Sequence, residues 1–300
     1  MRVSEGLLAA HLAFNYNDGE RVPRAFVFAM KPLLYAALAA YVIAAIHAVL
    51  AFVNKRRAAE RITFYSVIFA FAAHTGAIVF DWARDGHYPL FQLPETLSFL
   101  GWTLVVAYWL VTYRYPVRAL GAFLLPVVSL LVFASQVVTG SDRLVASRVT
   151  DGGAAWLFPV HTTLLFFAYA SFFVAFSASV MYLWQERELR QKRFGAVFHR
   201  LPSLTTVDDV GATAASVGFT LLTVGILTGV IWSRARSGRM FHNDPIEFFA
   251  LLTWVLYLTL LHYRVQWRGR KAAWLGVAGF TLVLCTFVGA VMLGGFHVFG

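Results

Sequence analysis

Eight long runs of apolar residues, separated by short polar segments, dominate the chain. The runs cover 32–53, 62–81, 95–113, 117–138, 158–184, 211–233, 246–264 and 273–294. Each has about the twenty residues that an α-helix needs to cross the hydrocarbon core of a bilayer. Continuous runs favour helices, because the strands of a membrane β-barrel are shorter segments of alternating polarity. The pattern therefore predicts an all-α, polytopic membrane protein built as a bundle of about eight transmembrane helices.

The composition and the order of the runs agree with this class. Hydrophobic residues make up 59% of the chain and charged residues only 13%, whereas soluble domains carry about 25% charged residues. We predict one transmembrane domain over 32–300, preceded by an extracytoplasmic segment over 1–31 that lacks the apolar core of a signal peptide. The single cysteine, Cys285, excludes an intrachain disulfide and a cysteine-rich metal site.

The net charge of +10 comes from loops beside the spans and does not indicate a nucleic-acid partner. Clusters of Lys and Arg follow spans one, three, five and seven, at 55–61, 114–118, 187–200 and 264–271. Basic residues on the other side are fewer and more dispersed. Because cytoplasmic loops are enriched in Lys and Arg, we expect these clusters in the cytoplasm and both termini outside. The membrane that we expect is a bacterial-type cytoplasmic (inner) membrane.

The segment Trp232–Trp254 is expected on the same outer side as the termini. It reads WSRARSGRMFHNDPIEFFALLTW, a short polar loop between two apolar runs. The chain contains no P-loop, no dinucleotide-binding fingerprint and no zinc-protease motif. This loop is therefore a candidate for contact with molecules other than lipid.

Histidines in or beside the spans are the other candidate functional groups, because ionisable residues at membrane depth often have functional roles. His161 and His297 lie at the outer ends of spans five and eight, where they can ligate a haem iron from opposite faces. His74 lies roughly 10 Å and His262 roughly 24 Å below the outer edge. His47, at roughly 22 Å, is the geometric rival of His74 as the partner of His262. Hydrogen-bonded packing is the alternative role for each.

Several segments from His74 to the C-terminus form a pattern that is specific in combination. They are HTGAIVFDWARDGHYPLFQLPETLSFLGW, RYPVRALGAFLLP, HTTLLFFAYASFFVAF, YLWQERELRQKR, LPSLTTVDDVGATAASVGFTLLTVGILTGVIW and LLTWVLYLTLLHYR with WRGRKAAW. With these segments the chain resembles the cytochrome c assembly proteins of the CcsA/ResC type, with HemX-like proteins as relatives. The assembly-like part of the domain begins at about residue 62.

The resemblance implies a haem-handling membrane protein of cytochrome c biogenesis, which translocates haem and presents it to apocytochrome c. It implies haem b bound without a covalent bond, with His74 and His262 as ligands inside the membrane. The outer pair is then His161 and His297. It also implies a separate membrane partner with an extracytoplasmic domain, and a place in a holocytochrome c synthase that forms the haem thioethers.

The polar loop departs from the family pattern WGxxWxWDPxE. Gly238, Asp244, Pro245 and Glu247 are kept, but the tryptophan positions hold Ser237, Phe241 and Asn243. Phe241 keeps an aromatic face for stacking on haem. The arginines of the loop are either partners for haem propionates or solvated charges, and they are Arg234, Arg236 and Arg239.

The loss of the tryptophans leaves two other functions open at this point. One is a HemX-like regulator that binds haem and attaches nothing. The other is a structural subunit of a larger membrane complex.

Overall fold

The computed structural model describes residues 24–54, 57–85, 88, 90, 92–138, 156–192, 195, 198–263 and 266–292, with the side chains of 24–31 and 288–292 left out. These residues form eight α-helices and one 3-10 turn at Phe198–Arg200. The helices are α1 (Arg24–Asn54), α2 (Arg57–Asp85), α3 (Leu93–Arg114), α4 (Leu120–Val137), α5 (Leu157–Arg190), α6 (Leu204–Ser237), α7 (Pro245–His262) and α8 (Arg270–Met292).

All eight helices contain a stretch long and apolar enough to cross a membrane, which confirms the predicted class and number of spans. The helices extend beyond the apolar runs. Helix α1 begins at Arg24, and α5 and α6 each continue for 34 residues. The charged segment YLWQERELRQKR after span five predicted such a helical extension for α5. The polar end of α6 is helical too, which the apolar pattern did not indicate.

Local signals explain where the helices begin and end. Helix α6 begins after Ser203, whose hydroxyl accepts a hydrogen bond from the backbone N–H of Thr206 at 3.2 Å. It ends at Gly238, which has φ 73, a left-handed conformation that glycine adopts without strain. Helix α7 begins with Pro245 after Asp244, whose Oδ1 accepts from the N–H of Ile246 at 3.0 Å.

The helices form two groups of four along the chain. In the first, α1 packs on α2 and α4, and α3 packs on α4; in the second, α5 packs on α6 and α8, and α7 packs on α8. Contacts of α3 and α4 with α5 join the groups. Helix α5 is accordingly the central helix, with 67% of its most apolar window buried, against 44% or less in the other spans.

Glycines allow α6 to approach α5 closely. Gly218 faces Phe172, Gly225 faces Leu165, and Gly229 faces His161, and an added Cβ would lie within 2.8 Å of a side-chain atom at each position. Residues at this spacing share one face of a helix. Small residues on such a face are typical of helices that associate closely in membranes. Phe172 in turn stacks on Tyr257 of α7, with ring centroids 3.8 Å apart.

Gly218→Ala is expected to destabilise the protein. The new methyl group would lie 2.6 Å from Cε1 of Phe172 and 3.2 Å from the carbonyl oxygen of Ala168, so Phe172 must leave its stack. Overpacking of this kind costs about 1–3 kcal/mol, which lowers the melting temperature in detergent. Gly211→Ala on the same helix is the matched control, because its Cβ would meet Ala178 at 3.5 Å. Equal melting temperatures for the two variants would contradict the close packing of α5 and α6.

Candidate functional site

His161 lies in the second turn of α5, and its side chain is buried with 9% exposure. Its Nδ1 is 2.7 Å from the backbone carbonyl oxygen of Gly225 in α6. A carbonyl oxygen only accepts hydrogen bonds, so Nδ1 carries the proton and donates, and the lone pair of the neutral ring belongs to Nε2. Histidines that ligate metals are commonly oriented in this way, by donating the other ring N–H to a carbonyl.

Helix α6 also sets the plane of the His161 ring. The indole of Trp232 lies nearly parallel to it, at 15°, with centroids 6.5 Å apart. Gly229 provides the space for the ring, since a Cβ there would lie 2.5 Å from Cε1 of His161. The guanidinium of Arg236 lies 5.2 Å from the centroid of the Trp232 ring. The imidazole is thus held by three positions of one neighbouring helix.

The N-terminal end of α5 is anchored by the segment that precedes α3. The hydroxyl of Tyr88 is 2.5 Å from Oγ1 of Thr163, two residues after His161. Burial raises the pKa of Tyr88, and the hydrogen bond to Thr163 offsets only part of that rise. Tyr88 therefore stays neutral at physiological pH and links the two helix groups beside His161.

The loop between α6 and α7 is organised by His242, which the sequence analysis did not single out. Its Nε2 lies 2.9 Å from Oγ of Ser237, and its Nδ1 lies 3.3 Å from Oγ of Ser233. Its backbone N–H donates to both carboxylate oxygens of Glu247, at 3.2 and 2.9 Å. The sequence did carry a signal, because Asp244 followed by Glu247 is the spacing of a capping box. Here the glutamate reaches two residues further back, to His242.

The predicted loop residues are at the surface, apart from Asp244. Asp244 is buried, with 5% exposure, and caps α7. Phe241 is 54% exposed, so its ring offers an aromatic face outside the bundle. The three arginines, Arg234, Arg236 and Arg239, are exposed near the end of α6.

His74 lies in the core of the first helix group and has no exposed surface. Its Nε2 is 2.8 Å from Oγ of Ser98 in α3, and its Nδ1 is 3.4 Å from the hydroxyl of Tyr41 in α1. The hydrogen bonds connect α1, α2 and α3. In this arrangement both ring nitrogens of His74 are close to hydroxyl groups of neighbouring helices.

The other predicted histidines are separated from His74. His262 is the exposed last residue of α7, in the second helix group. The start of α7 and the end of α2 belong to the same side in the predicted orientation. From that side, His262 lies about 26 Å along its helix and His74 about 17 Å, so the two histidines are at different depths. His47 in α1 is half-buried, with Nδ1 2.8 Å from the carbonyl oxygen of Ile43 in its own helix. His297, the predicted partner of His161, lies outside the described residues.

Bare metal ions have no multi-ligand site in the described part of the chain, where no three His, Cys, Asp or Glu residues come together. A haem iron needs only one or two axial protein ligands. The donor that suits it here is the Nε2 atom of His161, with the Trp232 indole nearby.

Fold and site together define a multi-pass, all-α membrane protein with a buried histidine oriented by a neighbouring helix. A family model described as "Cytochrome C assembly protein" matches residues 90–297. The chain belongs to this family, as the sequence resemblance predicted, and has a role in cytochrome c biogenesis.

Curated relatives and a solved structure are consistent with that family. The chain is 28% identical over 270 residues to "Cytochrome c biogenesis protein CcsA" of Synechococcus sp. (strain RCC307), covering 82% of this chain and 86% of the relative. It is 29% identical over 246 residues to the protein of the same name of Prochlorococcus marinus (strain MIT 9515), covering 74% and 78%.

The solved structure titled "Cytochrome c Heme Lyase CcmF" has the same fold. Its TM-score is 0.61 with 17% sequence identity, over 91% of this chain. The match covers 48% of the lyase chain, so this chain spans about half of its length.

Gly229→Ala is expected to break the hydrogen bond between His161 and Gly225. The added Cβ would lie 2.5 Å from Cε1 and 2.7 Å from Nδ1 of His161, so the ring must move away. NMR of ¹⁵N-histidine-labelled protein is expected to show His161 protonated on Nδ1 in the wild type and a changed signal in the variant. Gly211→Ala should leave the signal unchanged, and a wild-type signal protonated on Nε2 would contradict the orientation.

Proposed function

We propose that the protein binds haem b without a covalent bond and presents it to apocytochrome c on the outer side of a bacterial-type cytoplasmic membrane. The observation that carries the proposal is the hydrogen bond from Nδ1 of His161 to the carbonyl oxygen of Gly225 at 2.7 Å, which makes Nε2 the ring nitrogen that a haem iron would bind. When bound, haem supplies two vinyl groups, across which the S–H bonds of apocytochrome cysteines add.

The chain's own residues hold and orient the group in this proposal. His161 and His297 would hold the iron of the haem. The exposed guanidinium groups of Arg234, Arg236 and Arg239 provide positive charge for the propionates, for which the planar guanidinium fork is suited. Phe241 provides an exposed aromatic face. Asp244 acts through its cap on α7, which fixes where the loop ends.

His74 and His262 are the proposed ligands inside the membrane, with His47 as the rival to His74. Ligation by His74 requires that its Nε2 exchange the hydrogen bond to Ser98 for the iron. That exchange removes a hydrogen bond between α2 and α3, whereas the ring of His161 keeps its hydrogen bond to Gly225 when Nε2 binds a ligand.

The proposed orientation has the basic ends of α1, α3, α5 and α7 in the cytoplasm and both termini outside. In that orientation His161 and the loop between α6 and α7 lie outside. Apocytochrome c and a separate membrane protein with an extracytoplasmic domain are the proposed partners on this side.

A HemX-like regulator is the second candidate function, and the loop structure favours it specifically. Ser237 is used to hold His242, at 2.9 Å. Asn243 has φ 56, a left-handed conformation that is uncommon for a bulky side chain such as tryptophan. Both positions hold tryptophan in the family pattern, so this loop has its own hydrogen-bonded arrangement in place of an aromatic one.

His161→Ala is expected to lower the amount of haem that copurifies with the protein several-fold, because the oriented ligand is lost. His297→Ala should act in the same direction, and the double variant should lose the Soret band. Gly211→Ala is the control, because its added Cβ would meet Ala178 at an ordinary 3.5 Å and leave His161 in place. An unchanged Soret absorbance in the double variant would refute the outer ligand pair.

Complementation separates the two candidate functions. In a strain that lacks its own haem ligase, this protein with its partner is expected to restore covalent cytochrome c, measured by haem staining of denaturing gels. Haem binding without any covalent cytochrome c would refute presentation for attachment and support the regulator.

A further inference from the structure

Helices α2 and α3 contact each other around the middle of α2. Nε1 of Trp102 donates to Oγ1 of Thr75 at 2.9 Å, and Phe71 stacks on Trp102 with centroids 5.4 Å apart. Phe71 also contacts Trp109, at 4.6 Å between centroids. Beyond this point, toward the end with the basic clusters, a cavity of about 1020 Å³ lies between the two helices. Its volume is at the upper end of ordinary small-molecule sites, which are about 300–1,000 Å³.

The body of the cavity is apolar and opens sideways. Val67 and Ile68 of α2 face Trp109 of α3 across it, and Phe52 of α1 lines its inner wall. Phe64 and Ile68 are 58% and 40% exposed, so the opening between α2 and α3 is on the apolar outer surface of the helix bundle, where lipid would lie. A hydrophobic molecule in the membrane can therefore reach the cavity without crossing the bundle.

The end of the cavity at the helix termini is positively charged. Three arginines line it, from three separate segments: Arg57, Arg118 and Arg200. The only acidic group that lines it among the described residues is Glu60, whose two carboxylate oxygens accept from Arg118 at 3.1 and 3.0 Å. Arg200 donates to the carbonyl oxygen of Phe52 at 2.9 Å, which fixes the 3-10 turn against the end of α1.

Arg57 differs from the other two arginines. It has no ion-pair partner among the described residues and lies in the first turn of α2. Arg118 is thus paired with Glu60, and Arg200 is bound to a backbone carbonyl. The charge of Arg57 has no acidic partner among the described residues. The end of the cavity carries a net positive charge, which is the complement of an anionic head group.

We propose that this cavity binds a membrane-borne amphiphile with an anionic head group. Its carboxylate or phosphate contacts Arg57, Arg118 and Arg200, and its apolar body lies along Val67, Ile68 and Trp109. The occupant that we propose is an anionic phospholipid, and a porphyrin with free propionates is the alternative that the competition experiment distinguishes. The site is separate from His161 and does not depend on the proposed role in haem presentation.

The first test uses the full chain in phosphatidylcholine nanodiscs with and without phosphatidylglycerol. Native mass spectrometry is expected to show one retained phosphatidylglycerol. A basic residue near the membrane surface contributes about 1 kcal/mol to the binding of anionic lipid, so Arg57→Gln should weaken retention about fivefold. Arg268→Gln is the matched control, because Arg268 is an exposed arginine in the loop between α7 and α8.

A second variant tests the cavity without changing its charge. Ala51→Trp places a large side chain in the lining and is expected to reduce retention, with the melting temperature as a check on folding. Retention that is equal in the wild type, Arg57→Gln and Ala51→Trp would overturn the proposal. So would an equal loss in Arg57→Gln and Arg268→Gln, because the effect would then belong to the whole surface.

Competition distinguishes the two sources of the head group. Metal-free protoporphyrin has propionates but no iron for a histidine to ligate, and octaethylporphyrin has neither. Displacement of phosphatidylglycerol by protoporphyrin alone supports a site that accepts porphyrin carboxylates. Retention in the presence of both supports a phospholipid as the occupant. Displacement by octaethylporphyrin to the same extent as by protoporphyrin would overturn the role of the anionic head group.

Discussion

The close approach of α6 to α5 is the constraint on which the candidate site depends. Gly218, Gly225 and Gly229 have no side chains to separate the two helices, so His161 can reach the backbone of α6. The Gly225 carbonyl accepts from Nδ1 of His161 and also from the hydroxyl of Thr228, at 2.7 and 2.9 Å. The tight packing at these glycines therefore determines how the imidazole of His161 is oriented.

The same helix continues into the polar loop, so ring orientation and loop position are set by one element. Trp232 lies parallel to His161, and Ser233 next to it contacts His242. His242 and Glu247 then tie the loop to the start of α7. This hydrogen-bonded loop occupies the place where the family pattern has tryptophans. The polar network explains how the loop is folded without tryptophans. The structure of the loop therefore does not depend on aromatic side chains that could stack on a ligand.

The sequence predicted the eight spans well, because the length of an apolar run is set by the thickness of the bilayer. The charged segment YLWQERELRQKR also predicted that span five continues as a helix beyond the membrane, and α5 does so to Arg190. The apolar pattern did not predict the polar end of α6 at Arg234–Ser237. His161 was identified from its position, but its tautomer depends on Gly225, 64 residues away. The hydrogen bonds of His74 to Ser98 and Tyr41 likewise arise only from tertiary packing. His242 was missed because its partners become neighbours only when α6 ends at Gly238.

The most direct test of haem binding is the visible spectrum of the purified wild-type chain, followed by pyridine haemochrome analysis. We predict a Soret band, a haemochrome of haem b and the low-spin spectrum that two imidazole ligands give. Intact, folded protein purified from haem-replete cells without a Soret band would contradict it.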